Sequence, residues 1–159
     1  MVALLVHAIL GVAVIVFIVK SNPAIFKRVP AGPQSSTLEI VFWAVGIASL
    51  PLCWYFNIRY VQEYAANPLL GQFNWSEFIS LGFANPSASS QVTDYIIGNV
   101  ILLPLFTIID GRRRGINRPW LFFVASLFTS FAFAWAFYLA TVERQRRHQQ
   151  AEAPVNSVA

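Results

Sequence analysis

Residues 83–120 read FANPSASSQVTDYIIGNVILLPLFTIIDGRRRGINRPW, and this stretch decides how the rest of the chain is interpreted. An apolar run fills its middle, preceded by a turn and Asp94 and followed by Asp110 and a block of arginines. The run predicts a helix from about residue 92 to residue 109. That length is near the lower limit for crossing a hydrocarbon layer of about 30 Å. Pro104 lacks a backbone N–H and predicts a kink in this helix.

The composition of the chain favours a membrane location. Hydrophobic residues make up 57% of the 159 residues, and charged residues make up only 11%. A soluble domain carries about a quarter charged residues, because its surface faces water. So few charges predict an all-α integral membrane protein whose surface faces lipid. The net charge of +4 is clustered in loops between apolar runs, so we expect a lipid bilayer as a partner and no nucleic acid.

Three further apolar runs complete the prediction, which is a four-helix transmembrane bundle. They occupy residues 2–19, about 40–60 and 120–142. These runs predict three parts of the chain. Residues 1–20 form an extra N-terminal transmembrane helix, residues 38–142 form a three-span membrane domain, and residues 143–159 form a polar tail. We expect the tail to be disordered beyond its first turn.

The connection between the second and third runs is too polar to span a membrane. Asn74, followed three residues later by Glu77, predicts the N-terminus of a short helix. Its aromatic residues Trp75 and Phe78 share one face with Ile79. A short amphipathic helix of this kind lies in the membrane interface or covers the end of the bundle, and the sequence leaves both arrangements open.

The distribution of lysine and arginine predicts the orientation, because these residues concentrate in cytoplasmic loops. With four spans, the loops around residues 20–28 and 112–118 lie on one side and hold seven basic residues, against four on the other side. This predicts a cytoplasmic Arg112–Arg118 loop and two non-cytoplasmic termini, in a bacterial inner membrane. The three arginines of the tail argue against that orientation.

A recurring pattern in the central and C-terminal parts carries a resemblance to a known family. The pattern is an aromatic-x-Asn-Pro turn, an acid and a basic string, which stand here at residues 83–86, Asp94 and residues 110–120. Residues 40–147 resemble a family of small bacterial membrane proteins known only as a conserved domain of unknown function. The resemblance implies three spans, so residues 1–20 are an addition, and it implies no activity. The family usually has Glu at the position of Asp110 and a proline near Ala134, so we expect a straighter last helix here.

Polar residues inside the predicted spans are the candidates for chemistry, because burying them in lipid is costly. Asp94 is the best candidate for a general acid, and its alternative role is to cap the third helix. Asn99 is a candidate ligand-binding residue. Its alternative role is an interhelical hydrogen bond to Ser126, Thr129 or Ser130.

An isoprenoid cyclase needs an acid in a cavity lined by aromatic side chains, which Asp94 would supply with Tyr95, Trp135 and Tyr138. Together with Asn99, we take Tyr95, Ser130, Trp135 and Tyr138 as candidate ligand-binding residues. Standard catalytic motifs are missing from the sequence, and its two histidines lie near opposite ends. We therefore predict no metal and no cofactor.

The arginines that follow the third run have a simpler interpretation than a ligand site. Basic residues next to a span interact with anionic lipid headgroups and fix its orientation. We expect this role for Arg112, Arg113, Arg114 and Arg118.

The sequence favours a non-enzymatic multi-pass membrane protein. The leading interpretation is an accessory subunit, with a membrane protein or a second copy as partner, or a binder of a lipid or another hydrophobic ligand. Kinks at Pro51 and Pro104 are expected to open a cavity between the second and third helices. The alternatives are a cyclase-like, lipid-modifying enzyme that uses Asp94 and a small transporter component.

Overall fold

The computed structural model of the protein describes residues 1–29, 32–67, 69 and 74–152, and all their regular structure is helical. The helices are α1 (Val2–Ser21), α2 (Pro23–Phe26), α3 (Thr37–Tyr64), α4 (Trp75–Leu81), α5 (Pro86–Ile96), α6 (Leu103–Arg113), α7 (Leu121–Phe128) and α8 (Phe131–Glu152). A π-helical segment, Ile97–Leu102, joins α5 to α6. Pro86–Arg113 is therefore one continuous helix.

Three helices among the described residues are long and apolar enough to cross a membrane. They are Val2–Ser21, with 20 residues, and Thr37–Tyr64 and Pro86–Arg113, with 28 residues each. At 1.5 Å per residue the shortest is about 30 Å long, which matches the hydrocarbon layer. Their outward faces expose large apolar side chains. Three of the four predicted spans are thus helices of spanning length.

The fourth apolar run is broken in its middle. α7 has 8 residues, which gives a length of about 12 Å. It ends at Thr129, whose φ of −118° and ψ of −97° lie outside the helical region. Ser130 then caps the next helix, since its Oγ accepts a hydrogen bond from the N–H of Phe133 at 3.0 Å. The prediction of a straighter last helix is wrong at this break.

The two halves of the broken run pack against each other as an antiparallel hairpin. The ring of Phe122 in α7 lies 5.2 Å from the ring of Phe137 and 5.1 Å from that of Tyr138, both in α8. In one straight helix, residues fifteen apart would be separated by about 22 Å. The predicted fourth span at residues 120–142 is therefore wrong, because the chain reverses at Thr129 and Ser130. We call α7 and α8 with this turn the hairpin.

The hairpin forms the core around which the three long helices pack. α3 packs along α8, and α1 and α6 pack against α7. Small residues allow the close approach, since a Cβ added to Gly46 would lie 3.1 Å from that of Ala136. The hairpin carries the largest fully buried rings of the described residues, at Phe122, Phe137 and Tyr138.

The turn of the hairpin lies at the middle of the long helices. A Cβ added to Gly11, midway along α1, would lie 3.1 Å from the carbonyl oxygen of Phe128. The hydroxyl of Ser49, midway along α3, is 2.9 Å from that of Ser130. The hairpin thus fills one half of the bundle, which we call the hairpin half. The other half, beyond the turn, is the cavity half.

The loop that leads into the hairpin begins with a glycine C-cap. Gly115 has φ +73°, in the left-handed region that suits glycine. The N–H of Ile116 donates to the carbonyl of Gly111 at 2.8 Å, and that of Gly115 donates to Arg112 at 3.1 Å. This is a Schellman motif, which ends α6 sharply and turns the chain toward α7.

The end of α1, the arginine loop and the C-terminal tail all lie at one end of the bundle, which we call the arginine end. The amide of Asn22 accepts from the N–H of Asn117 at 2.7 Å and donates to its carbonyl at 3.1 Å. Arg144 donates to the carbonyl of Ile25 at 2.9 Å. The prediction that the tail and the arginine loop lie on opposite sides is wrong, because the hairpin returns the chain to its starting end.

The tail is ordered by a buried ion-pair cluster. α8 continues to Glu152, so the prediction of disorder beyond the first turn is wrong up to that residue, and residues 153–159 lie outside the described residues. Glu39 is only 2% exposed, and its carboxylate accepts from Arg144 at 3.0 Å and from Arg147 at 3.3 Å. We call Glu39, Arg144 and Arg147 the Glu39 cluster.

Hydrogen bonds beside the cluster join the start of α3 to the tail. Ser36, rather than the following threonine, caps α3, since its Oγ accepts from the N–H of Glu39 at 3.1 Å. The same hydroxyl donates to Glu143 at 2.9 Å. The hydrogen bonds from Arg146 and Ser36 hold the pKa of Glu143 below its ordinary value.

The helices at the opposite end begin with asparagine caps. Asn74 Oδ1 accepts from the N–H of Glu77 at 3.2 Å, which confirms the predicted start of the short helix α4. Asn85 Oδ1 accepts from the N–H of Ala88 at 3.0 Å, and Pro86 occupies the first helical position. The long helix therefore begins six residues earlier than residue 92, where the prediction placed it.

Candidate functional site

A cavity of about 650 Å³ occupies the cavity half of the bundle. Its walls come from α1, α3, α5 and the π-helical segment, and its floor is the turn of the hairpin. α4 covers it at the end opposite the arginine end. The cavity exists because the hairpin stops at mid-depth while the three long helices continue past it. Its volume lies in the range of small-molecule sites, about 300–1,000 Å³.

The walls of the cavity are mainly apolar and rich in aromatic rings, which belong to Trp54, Phe56, Trp75, Phe78, Phe128 and Phe131. Among the described residues that line it, none is Asp, Glu, Lys or Arg. The polar side chains are uncharged amides and hydroxyls, with one imidazole at His7. This environment suits an apolar molecule that carries at most a few uncharged polar groups.

Ring contacts and hydrogen bonds hold α4 over the cavity. The ring of Trp75 lies 5.5 Å from that of His7, and the ring of Phe78 lies 5.1 Å from that of Tyr60. The Tyr60 hydroxyl donates to the carboxylate of Glu77 at 3.0 Å. α4 is therefore attached to both α1 and α3.

Asn99 is the polar residue on the wall with an unmet hydrogen-bonding requirement. Its side-chain amide donates from Nδ2 to the hydroxyl of Tyr95 at 3.0 Å. Its Oδ1 has no partner among the described residues, although Asn99 is only 2% exposed. A buried amide oxygen without a partner is uncommon and calls for an explanation.

The π-helical segment that carries Asn99 has a local cause. Pro104 follows it and cannot donate a hydrogen bond to the carbonyl of Val100, and its ring crowds that carbonyl. The wider π-helical turn of Ile97–Leu102 relieves this conflict. Such turns are frequent at functional sites. The sequence predicted a kink at Pro104, and the structure has a wider turn in the cavity wall at Ile97–Leu102.

The floor of the cavity exposes the N-terminus of α8. The N–H groups of Phe131 and Ala132, the first two residues of α8, have no acceptor within the described part of the chain. Free N–H groups at this end of a helix point away from the helix body and carry a partial positive charge. They provide donors at mid-depth, beside the hydroxyl of Ser130.

The predicted hydrogen bond from Asn99 to the hairpin is absent from the described residues. The hydroxyls of Ser126 and Thr129 donate to backbone carbonyls of α7, at 2.7 and 2.6 Å. Ser130 pairs with Ser49 across to α3. The hydroxyls proposed as partners are thus engaged elsewhere, and Asn99 faces the same cavity without bonding to them.

Asp94 does not line the cavity. It lies inside α5 on an exposed position, nine residues after the cap Asn85, so it does not cap the helix. No hydrogen bond or ion pair to Asp94 occurs among the residues that the structure describes. The acid of the cyclase hypothesis is therefore separated from the cavity.

The aromatic candidates are divided between the two halves. The ring of Tyr95 lies 6.0 Å from that of Phe131 at the cavity. Trp135 packs against Phe106 in the hairpin half, with ring centroids 5.2 Å apart. The Tyr138 hydroxyl donates to Asp110 at 2.7 Å, so it stabilises the hairpin. Of the predicted ligand-binding residues, the cavity brings together Asn99, Tyr95 and Ser130.

The arginines of the loop serve different neighbours. Arg114 pairs with Asp110 at 2.6 Å, and the guanidinium of Arg118 lies 4.7 Å from the ring centroid of Phe17. Arg112 and Arg113 are exposed at the arginine end. Contact with lipid headgroups stays a prediction for all four. Among the described residues, no three His, Cys, Asp or Glu side chains are placed to hold a metal ion.

Residues 41–144 match a family described as a protein of unknown function, DUF2834. The chain belongs to this family. The match confirms the resemblance predicted from the sequence, and no curated protein and no solved structure matches the chain. The DUF2834 region begins inside α3 and ends at Arg144. It therefore contains α7, the turn of the hairpin, α8 as far as Arg144 and most of the cavity wall, whereas α1 lies outside it.

Sequence reasoning missed the hairpin, and with it the floor of the cavity. The signal for the reversal is Thr129-Ser130, a pair that ends one helix and caps the next. Within an apolar run this pair is also compatible with a continuous helix, because Ser and Thr hydroxyls can donate a hydrogen bond to a backbone carbonyl of the preceding turn. Two residues barely change the mean hydropathy of the run.

Proposed function

We propose that this protein binds a neutral, lipophilic molecule in the cavity half of a membrane-embedded bundle. The observation that carries the proposal is the cavity itself, with its apolar walls and without charged lining residues. A charged ligand would lose its hydration there without gaining a counter-charge. An apolar ligand gains contact with several aromatic rings. Binding, rather than catalysis, is the activity that this lining supports best.

The proposed topology has three membrane crossings and a re-entrant hairpin. All lysines and arginines except Arg59 then lie at the arginine end, which the positive-inside rule makes cytoplasmic. The N-terminus would be outside and the C-terminus inside. With four spans, the three arginines of the tail lay on the non-cytoplasmic side, against the positive-inside rule. With three crossings they lie on the cytoplasmic side. Irregular backbone at mid-depth is compatible with a membrane where it is buried in protein or lines a cavity, as the turn of the hairpin does here.

Cysteine accessibility tests this topology, because Cys53 is the only native cysteine. Single cysteines would replace Asn67 or Gln149 in a Cys53→Ala background. In intact cells, a membrane-impermeant maleimide is expected to label N67C, and to label Q149C only after the membrane is opened. Labelling of Q149C in intact cells would overturn the re-entrant topology and restore a fourth crossing.

The bilayer supplies both the ligand and its route in this proposal. The long helices pack mainly on the hairpin rather than on one another, so we place the entrance of the cavity between them, facing lipid. A lipophilic molecule would enter sideways without crossing water. A membrane partner or a second copy of the chain stays a prediction from the sequence, because the apolar outer faces suit lipid and protein equally.

The other predicted functions have less support than binding. A cyclase-like reaction needs an acid at the ligand, and Asp94 does not line the cavity. Transport of an ion or a charged solute needs charged or strongly polar groups along a path, and the described lining contains no Asp, Glu, Lys or Arg.

Two adjacent residues allow a matched test of ligand binding. Val100 lines the cavity, whereas Ile101 does not, and both are 49% exposed. We expect wild-type protein, purified in mild detergent, to retain a defined lipophilic molecule that mass spectrometry detects. Val100→Trp should remove it by filling the cavity, and Ile101→Trp should retain it. Equal retention by both variants, or nothing defined in the wild type, would contradict the proposal.

A further inference from the structure

We infer that the cavity recognises a hydroxyl group, which it holds at the turn of the hairpin, so that the ligand is a long-chain or isoprenoid alcohol or phenol. This inference rests on the proposed function and names the chemical class of its ligand. The polar end of the molecule lies at mid-depth, and its apolar body extends toward α4.

Asn99 provides the first part of the site. This residue lines the cavity and is only 2% exposed, and its Oδ1 has no partner among the described residues, so this oxygen requires a donor. The other end of the amide, Nδ2, already donates a hydrogen bond to the hydroxyl of Tyr95. Because burial without a partner is costly, a donating group of a ligand would satisfy this oxygen.

The N-terminus of α8 provides the second part. Phe131 and Ala132 line the same cavity, and their N–H groups have no acceptor among the residues that the structure describes. Both parts line one cavity, and the Phe131 ring packs against the segment that carries Asn99, since a Cβ added to Gly98 would lie 3.4 Å from that ring. The floor and the adjoining wall thus present one acceptor and two donors.

A hydroxyl group matches this set, because it donates one hydrogen bond and accepts others. A ketone or an ether only accepts and would leave Oδ1 of Asn99 unmet. A carboxylate would find no cation among the described lining residues.

The position of the site also fixes the orientation of the ligand. The unmet polar groups lie at the turn of the hairpin, whereas α4 covers the opposite end with the rings of Trp75 and Phe78. A phospholipid would have to place its charged headgroup at mid-depth or among these rings. The lining therefore favours a small neutral alcohol over a membrane phospholipid.

Three matched probes test the inference on the wild-type protein in lipid nanodiscs. They are farnesol, its methyl ether, which lacks the donor, and the hydrocarbon farnesene. Quenching of tryptophan fluorescence reports binding, since Trp54 and Trp75 line the cavity. We expect farnesol to bind about ten-fold more tightly than the ether, which is the usual effect of one hydrogen bond. Val100→Trp should weaken all three.

Asn99→Leu should reduce the affinity for farnesol to that for farnesene and leave farnesene unchanged. Thr107→Val is the matched control. It removes a fully buried hydroxyl from the same continuous helix, in the hairpin half, and should keep the preference for farnesol. Because the three probes are first compared on wild-type protein, the test does not depend on the variants folding.

The outcomes separate this inference from the proposed function. Equal binding of the three probes, all blocked by Val100→Trp, would leave the proposed function in place and overturn the hydroxyl site. Equal binding of farnesol and its ether would also overturn it, because donation to Asn99 would contribute nothing. No saturable binding of any probe would overturn both.

Discussion

The hairpin half and the cavity half are built from the same three long helices, yet they differ in what fills the space between them. In the hairpin half, the rings of Phe122, Phe137 and Tyr138 pack at full burial. In the cavity half, the same helices enclose an open volume of about 650 Å³. The difference has one cause, the chain reversal at Thr129 and Ser130. A single turn therefore creates both the core and the cavity.

The polar groups of the two halves also differ, in whether they have hydrogen-bond or ion-pair partners. At the arginine end, the buried carboxylate of Glu39 has two guanidinium partners. In the cavity half, the lining lacks charged side chains within the described residues, and Asn99 keeps an unmet oxygen. Stability is therefore concentrated in the hairpin half. The cavity half can then keep polar groups without hydrogen-bond partners, which are available to a ligand.

The largest expected effect on this division comes from Glu39→Gln. It removes the charge that pairs two largely buried arginines, and breaking such a cluster costs about 3 kcal/mol. We expect this loss in the free energy of unfolding, measured by titration with SDS in mixed micelles. The matched control is Glu63→Gln, whose pair with Arg59 on the same helix is exposed. Equal effects of the two variants would show that the Glu39 cluster does not hold the tail.

A large-to-small change should separate the halves directly. Phe137 is 1% exposed in the hairpin half, and Phe137→Ala should cost about 2 kcal/mol, less than the roughly 3–5 kcal/mol of water-soluble proteins, because lipid already surrounds the unfolded chain. Phe56→Ala removes the same aromatic ring from the cavity wall, where fewer side chains pack against it. Its thermal unfolding in detergent should shift little. A larger shift for Phe56→Ala would reverse the assigned roles of the halves.

Two glycines on the continuous helix Pro86–Arg113 should respond to alanine with opposite signs. A Cβ at Gly111 would lie 2.5 Å from the ring of Pro119, so Gly111→Ala should destabilise by about 1.5 kcal/mol through overpacking. A Cβ at Gly98 meets only ordinary contacts with Phe131, from 3.4 Å. Gly98→Ala should be neutral or slightly stabilising. The same SDS titration measures both, and destabilisation by Gly98→Ala alone would contradict the packing contrast.

The smallest expected effect concerns two helix caps, one at each end. Asn85→Ala should cost about 1 kcal/mol, the usual value for losing an N-cap. Ser36→Ala should cost somewhat more, because the Ser36 hydroxyl also donates to Glu143. The measurement is again the free energy of unfolding. If Ser36→Ala cost less than Asn85→Ala, the link between the start of α3 and the tail would contribute nothing.

Local signals predicted much of the secondary structure. Apolar runs gave three helices of spanning length, since their length and composition alone decide this. Asn74 with Glu77 predicted the start of α4, and Asn85 caps the long helix directly before Pro86. A cavity was expected between the second and third helices, and residues of both line the observed one, although it opens because the hairpin ends at mid-depth.

The candidate site was predicted less well. Asn99, Tyr95 and Ser130 do meet at the cavity, whereas Asp94, Trp135 and Tyr138 do not join them there. The sequence does not distinguish these six residues, because all of them are polar or aromatic side chains within apolar runs. Only the hairpin decides which of them face the cavity, because it places Trp135 and Tyr138 in the core.

The sequence by itself determined a helical membrane protein and three of its four predicted spans, which are helices of spanning length in the described part of the chain, because hydropathy and caps act within a few residues. The tertiary structure alone decided the hairpin, the Glu39 cluster and the open half of the bundle. Glu39 and Arg144 are separated by 105 positions in the chain, and Phe122 meets Phe137 only after the reversal. Contacts at such separation depend on how helices pack around one another, which local patterns do not encode.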